Sequence, residues 1–242
     1  MARVSSKTNY KNYLIDSPIL IHYFHCCREH EKKFYNLVKH DFKNNQNSVL
    51  MALDLFRLKG EAKYLDIISE ASYKSLNYID QLKKIEPHLF ISENIGFYSC
   101  PETIQKIVKS YPKTSVSGEN CFVFADSSFS SVFEMLLKAL PIDNSAKLLF
   151  HLTSFSEGGF LKCRIDLTIP ASIPQEAVAL LVNPESSVTG DIFSLSIYTV
   201  RQIINRYSGH LSVIENSGSH SVLSIVLYQE SDEFKSLLLK SI

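Results

Sequence analysis

The residues whose types and spacing best suit covalent chemistry lie in the run His40-Asp41-Phe42-Lys43-Asn44. A neutral imidazole such as His40 is a nucleophile near pH 7. The neighbouring carboxylate, Asp41, can hold the ring tautomer and accept its proton as an electrophile is attacked. Asn44 falls one helical turn beyond His40 on the same face, where its amide can orient an anionic oxygen or a water, and Lys43 can screen negative charge. The set suits nucleophilic attack by the imidazole on an electrophile that carries negative charge. The competing reading is a solvated histidine, because Lys39 and Glu31-Lys32-Lys33 make that helix face charged in any case.

A second cluster, His22, His25, Cys26, Cys27 and His30, joins thiols to imidazoles, which is good zinc chemistry. Helical geometry restricts it. His22, Cys26 and His30 share a face, but the outer two stand about 12 Å apart along the axis, so one ion can take only an i, i+4 pair and needs outside ligands. A dimer could supply them. Among Ile19, Leu20, Tyr23 and Phe24, these side chains are expected to serve packing, and no metal is expected.

The elements that must carry these residues follow from periodicity. Between Pro18 and Gly60 the chain has neither proline nor glycine, and Phe34, Leu37, Val38, Phe42, Val49, Ala52, Leu53, Phe56 and Leu58 give helical spacing. Six polar residues, 43–48, interrupt the apolar pattern and mark exposure or function. After a turn at Gly60, helical spacing resumes over 61–86 through Leu65, Ile68, Ala71, Leu76, Ile79, Leu82 and Ile85, and Pro87 is expected to stop it. The result is a helical hairpin with arms of roughly 25 residues, about 37 Å each. Two helices alone bury one stripe apiece, so a homodimeric four-helix bundle is expected.

Beyond the hairpin the spacing predicts a helix over 101–111, a strand over 120–124 and a helix over 129–139. Strands follow over 146–154 and 160–167 around the turn Glu157-Gly158-Gly159. A helix over 195–206 is closed by Ser208-Gly209, and a hairpin of 210–216 with 221–228 turns at Ser217-Gly218. The tail from Ser231 reads as a short helix or a frayed end. The class is α+β, with helices on one face of a mixed sheet. Three units are expected: a helical extension over 1–33, the hairpin over 34–88 and the body over 89–242.

The run at His40 resembles the phosphoacceptor box of sensor histidine kinases, in which the histidine is followed by an acidic residue, an apolar one, a basic one and Asn or Thr. The body is similar to the ATPase domain of the same family, and its departures are specific. Segment 126–140 resembles the helix that carries the magnesium-binding asparagine; aligning Val132 and Leu136-Leu137 puts Met135 and Ala139 at asparagine positions. Segment 165–176 resembles the adenine segment; with Ile173-Pro174-Gln175-Glu176 on its usual ending, Thr168 stands at the aspartate and Pro170 and Ser172 at the glycines. Segment 194–209 resembles the last helix of that domain, while Gly190 alone remains of the glycine-rich phosphate loop.

The resemblance spans about 34–228. It implies a dimeric four-helix bundle followed by an α/β sandwich resembling the histidine-kinase ATPase domain. The implied function is histidine phosphotransfer in a two-component phosphorelay, with phosphoryl exchanged between His40 and the aspartate of a response-regulator receiver domain. Little or no ATP binding is implied, and no cofactor, with magnesium expected on the partner receiver. Two other readings stand beside it: an ATP-dependent sensor histidine kinase with a divergent pocket, and a non-enzymatic regulator that docks a receiver.

Composition narrows the classes. Lysine plus arginine and aspartate plus glutamate both total 25, so the basic excess that drives nucleic-acid binding is missing. No stretch of about 18 apolar residues exists and the start lacks a secretion-signal core, so a cytoplasmic chain with no membrane partner is expected. Five cysteines, two of them adjacent at Cys26 and Cys27, make no disulfide framework. With 45% apolar residues in 242, one sizeable core plus a smaller module can be buried.

Overall fold

A computed structural model describes residues 18–89, 95–140, 142–143, 145–183 and 192–239. Helix α1 (Pro18–Lys59) and helix α2 (Lys63–Leu89) form an antiparallel hairpin. Gly60 ends α1 at φ +67, a left-handed conformation that costs a glycine little, and its N–H donates to the Phe56 carbonyl at 2.7 Å. Ala52, with half-buried Asn45, Val49 and Phe56, packs toward Tyr64, Ile68, Ala71 and Ser75 of α2.

Two features of the hairpin differ from the sequence expectation. Helix α1 is continuous for 42 residues, longer than the roughly 25 expected of a hairpin arm. The polar run 43–48 lies within this helix and is exposed apart from half-buried Asn45, as its polarity implies, since it carries no glycine or proline to end the hydrogen-bond ladder. Helix α2 runs through Pro87 to Leu89, so the proline lies in the last turn, where it removes one i→i−4 bond and the helix ends two residues later instead of at the proline.

The body contains β1 (Gly96–Ser99), α3 (Cys100–Val108), β2 (Ser115–Gly118), β3 (Phe122–Ala125), α4 (Phe129–Ala139), β4 (Leu149–Glu157), β5 (Phe160–Ile169), α5 (Gln175–Val182), α6 (Ile192–Arg206), β6 (His210–Asn216), β7 (Ser221–Tyr228) and α7 (Asp232–Leu239). Five strands form a mixed sheet in the order β2-β4-β5-β7-β6, parallel only between β2 and β4, and β1 pairs with β3 in a separate ribbon. Helices cover one face: the rings of Phe133 on α4 and Phe150 on β4 lie 5.8 Å apart. Along β5, Cys163, Ile165, Leu167 and Ile169 are buried under the helices, while Arg164, Asp166 and Thr168 project from the opposite face.

The expected α+β layering is therefore present, with α4, β6 and β7 spanning the predicted residues. Strands β1 and β2 and helix α5 lie where no element was predicted; the two strands are four residues each, too short for alternation to register. At the end of α6, Ser208 takes φ 55 and Gly209 N–H reaches back to Ile204 O at 2.9 Å, a Schellman closure. The glycine serves proximity instead: a Cβ at Gly209 would lie 2.8 Å from the Val226 carbonyl. Among the described residues no helix is long and apolar enough to cross a membrane.

Candidate functional site

His40 is exposed on α1, as are Lys39, Phe42, Lys43 and Asn44. The Asn44 amide sits 3.3 Å from His40 Nδ1, so the i, i+4 spacing brings these two side chains together. The atom nearest the ring is Nδ2. Rotating the amide by half a turn presents Oδ1 at the same place, and Nδ1 then donates, which is the tautomer that carries its lone pair on Nε2. The Asp41 side chain lies outside the described residues.

Helical geometry separates the faces of the hairpin. At 3.6 residues per turn, His40 points about 150° away from the stripe that packs on α2. Met51, 67% exposed, and Leu58, 82% exposed, project on the same side as His40. Phe42, Leu50 and Leu53 of α1, with Leu65, Leu76 and Ile79 of α2, line the other side of the hairpin as one apolar face. Of these Leu53 is half-buried and the others are exposed.

The positions that the resemblance assigns to nucleotide contacts take other roles. Met135 and Ala139 are half-buried against the core. Thr168 lies on the sheet face away from the helices. Segment Ala171 to Ile173 is bolted to the sheet: Asn216 accepts from Ser172 Oγ at 3.2 Å and Ile173 N–H at 2.9 Å, and its amide donates to Ile173 O at 2.9 Å. Ser221 Oγ donates to Ala171 O at 2.7 Å. The loop that glycines would make pliable is held by side chains. Pro170 is exposed, and Gly190 lies outside the described residues. Buried Arg201 of α6 donates to Leu180 O at 2.7 Å and to Asn183 O, capping the C-terminal end of α5. Burial lowers the pKa of that guanidinium.

One polar cluster escaped the sequence reading. Asp126, fully buried between β3 and α4, accepts from Tyr23 of α1 at 2.5 Å, Tyr207 at 2.7 Å and the Ser128 N–H at 2.7 Å. Arg206, 2% exposed, places Nη2 at 2.9 Å from Asp126 Oδ2. Its guanidinium lies 5.5 Å from the Tyr23 ring centre and 5.4 Å from that of Tyr207, and contacts buried Cys27 of α1. This latch joins the first turns of α1 to the body. A charge set in an apolar run, as Asp126 is after Phe122 to Ala125 and Arg206 is among Ile203, Ile204 and Tyr207, signals a buried pair, but its partner is not encoded locally.

Burial raises the pKa of both tyrosines in the latch, with Asp126 adding to the effect, and raises that of Cys27. Burial also pushes the Cys121 thiol up to about 12. Burial works to lower the Arg206 pKa, and the surrounding Tyr207, Asp126, Tyr23 and Cys27 outweigh it, so it is raised. A group whose folded pKa exceeds its unfolded one contributes stability that is complete below the unfolded pKa and is lost as pH climbs toward the folded one. Urea midpoints are therefore expected to fall above about pH 9, where unfolded thiols ionise, and further above about pH 10, where unfolded phenols do. Tyr23→Phe and Tyr207→Phe should flatten the second phase; an unchanged slope there would show that the phenols are not buried in solution.

Among the described residues no three side chains of His, Cys, Asp or Glu converge as a metal site. No family model and no curated protein matches the chain. Solved structures do. The Acinetobacter baumannii histidine kinase AdeS is 12% identical, matching over 79% of this chain and 98% of that one with a TM-score of 0.44. The histidine kinase ThkA, in complex with the response regulator protein TrrA, is 16% identical over 89% of this chain and 68% of that one, with a TM-score of 0.49. A bacterial phosphotransferase is 13% identical over 81% and 95%, with a TM-score of 0.39. In the arrangement of its elements the chain is thus similar to histidine kinases and to a phosphotransferase, and residue roles rest on its own geometry.

Proposed function

We propose that this chain is a histidine phosphotransfer protein of a two-component phosphorelay, exchanging phosphoryl between His40 and the aspartate of a receiver domain. The observation that carries the reading is an exposed imidazole on a long paired helix with the Asn44 amide against Nδ1. With Nδ1 held as the donor, the Nε2 lone pair attacks phosphorus in line, the P–N bond forms and the bond to the receiver carboxylate oxygen breaks, leaving the aspartate ionised. The reverse path uses the same geometry. Positioning and charge screening supply most of the acceleration in phosphoryl transfer, and Lys39 and Lys43 stand ready for the second. Magnesium would be held by the receiver.

The receiver is the partner that the His40 side of α1 fits. Exposed Met51 and Leu58 lie roughly 16 and 27 Å along the axis from His40, giving an apolar footing below a basic rim at Lys39 and Lys43. The body serves as scaffold, since the positions that would contact nucleotide are apolar, turned away or pinned.

The same reading includes a homodimer. The apolar face of Phe42, Leu50, Leu53, Leu65, Leu76 and Ile79 points away from His40, so two hairpins can close a four-helix bundle with both imidazoles outside. Leu50→Asp with Leu76→Asp is expected to halve the native mass measured by light scattering while leaving helicity unchanged; a native chain that already runs as a monomer removes the dimer from the proposal.

The function is tested by mixing the purified chain with a receiver phosphorylated on aspartate and following acid-labile label. Label reaching His40 without nucleotide supports phosphotransfer. Label arriving only from ATP would instead establish a kinase, and stable receiver binding with no label a docking regulator.

A further inference from the structure

His40 and the body stand on the same side of α1. His22 precedes His40 by 18 residues and Cys26 precedes Asn44 by 18, five turns at about 3.6 residues each, so the four side chains share one face of the helix. At His22 that face meets the body: Nε2–H donates to the Asn205 carbonyl at 3.2 Å, in the last turn of α6. Around it Tyr23 bonds Asp126, Phe24 packs on the body's core and Cys27 lies against Arg206. The body is therefore fixed to α1 over residues 22–27, up the helix from His40.

The middle of that stretch lies about 23 Å from His40 along the helix axis. A receiver domain of roughly 120 residues has a radius of about 17 Å, and the body one of about 19 Å, by the scaling of radius of gyration with chain length. Two such objects clear each other only when their centres are about 36 Å apart. Even with the body's contacts turned about 50° around the axis from the His40 face, the centres come only to about 30 Å. We propose that a receiver domain seated on His40 also rests on the body, at the corner where α6 passes into β6, so that its docking site has two walls.

The corner suits the flank of such a partner. Asn205, Ser208 and Gly209 are half-buried there and His210 is exposed, while Arg206 and Tyr207 between them are buried. Its open side chains are polar and include no carboxylate or ammonium group, which fits the rim of an interface; Met51 and Leu58 supply the apolar part. Because the latch holds the corner at a set distance from His40, a receiver bulky on that flank cannot bring its aspartate to Nε2, and the body selects partners by shape. The identity of the partner rests on the phosphotransfer reading, and the second wall rests on where α1 carries the body.

The full chain is mixed with a receiver domain that passes label to His40, and amide exchange is followed with and without that receiver. Exchange should slow in two separate stretches, 40–58 on α1 and 205–212 at the corner. In parallel, a photo-crosslinking phenylalanine analogue replaces His210, Met51 or Ser219, the last at the far end of the β6–β7 hairpin. The receiver should be captured from His210 and from Met51 but not from Ser219. Slowing confined to α1 with capture from Met51 alone overturns the second wall and leaves the phosphotransfer reading in place. Equal capture from His210 and Ser219 overturns it too, since the contact would not be specific. A chain that takes no label on His40 and captures no receiver from either Met51 or His210 overturns both.

Discussion

Replacing His40 by alanine is expected to abolish acceptance of phosphoryl from a phosphorylated receiver while leaving native mass and thermal midpoint unchanged. The side chain is exposed, and exposed substitutions away from caps and networks change stability by no more than about 0.5 kcal/mol. Loss of label can then be ascribed to loss of the nucleophile. Asn44→Ala should keep transfer but slow it by roughly a hundredfold, the lower end of what a positioned proton-handling group contributes. Asn44→Asp should retain more activity, because its carboxylate also accepts from Nδ1. Transfer to His40→Ala at the native rate would place the acceptor on another residue and remove the phosphotransfer assignment of His40. Single-turnover transfer from labelled receiver, read on a gel run at neutral or alkaline pH, separates these outcomes.

The second large effect belongs to the latch. Asp126→Ala leaves the Arg206 guanidinium buried without its counter-charge and deprives Tyr23, Tyr207 and the Ser128 N–H of their shared acceptor. Breaking a buried ion pair from one side costs about 3–5 kcal/mol, a large fraction of the stability of a domain this size. Asp126→Asn keeps an acceptor of the same shape and should cost less. The double change Asp126→Leu with Arg206→Met removes both charges and should recover part of the loss, since apolar replacement of a buried pair is often close to neutral. Urea denaturation reports the cost, and amide exchange reports its location: protection should fall together along the first turns of α1 and along α6. A cost for Asp126→Ala below 1 kcal/mol would show the carboxylate to be solvated and the α1 junction open in solution.

The latch also ties the N-terminal part of α1 to the body. Tyr23 and Cys27 are core residues of the body as well as members of the helix that carries His40. The hairpin and the body therefore share one helix and one buried network. That arrangement anchors the helix carrying His40 to the body.

What the sequence by itself determined is what depends on near neighbours. The hairpin arms, α4 at Phe129–Ala139, and the β6–β7 pair follow from periodicity and turn residues, and the His40–Asn44 contact follows from helical rise alone. Tertiary structure decided what depends on distant partners. Tyr23 meets Asp126 across 103 residues, and Asn205 meets His22 across 183, neither of which any local pattern encodes. It also decided strand facing. A one-residue step turns a side chain to the other face of a sheet, and pairing of β5 with β4 and β7 sets Thr168 outward and Ile169 inward. Short β1 and β2 exist because β3 and β4 supply their hydrogen-bond partners, not because four residues carry a strand pattern of their own.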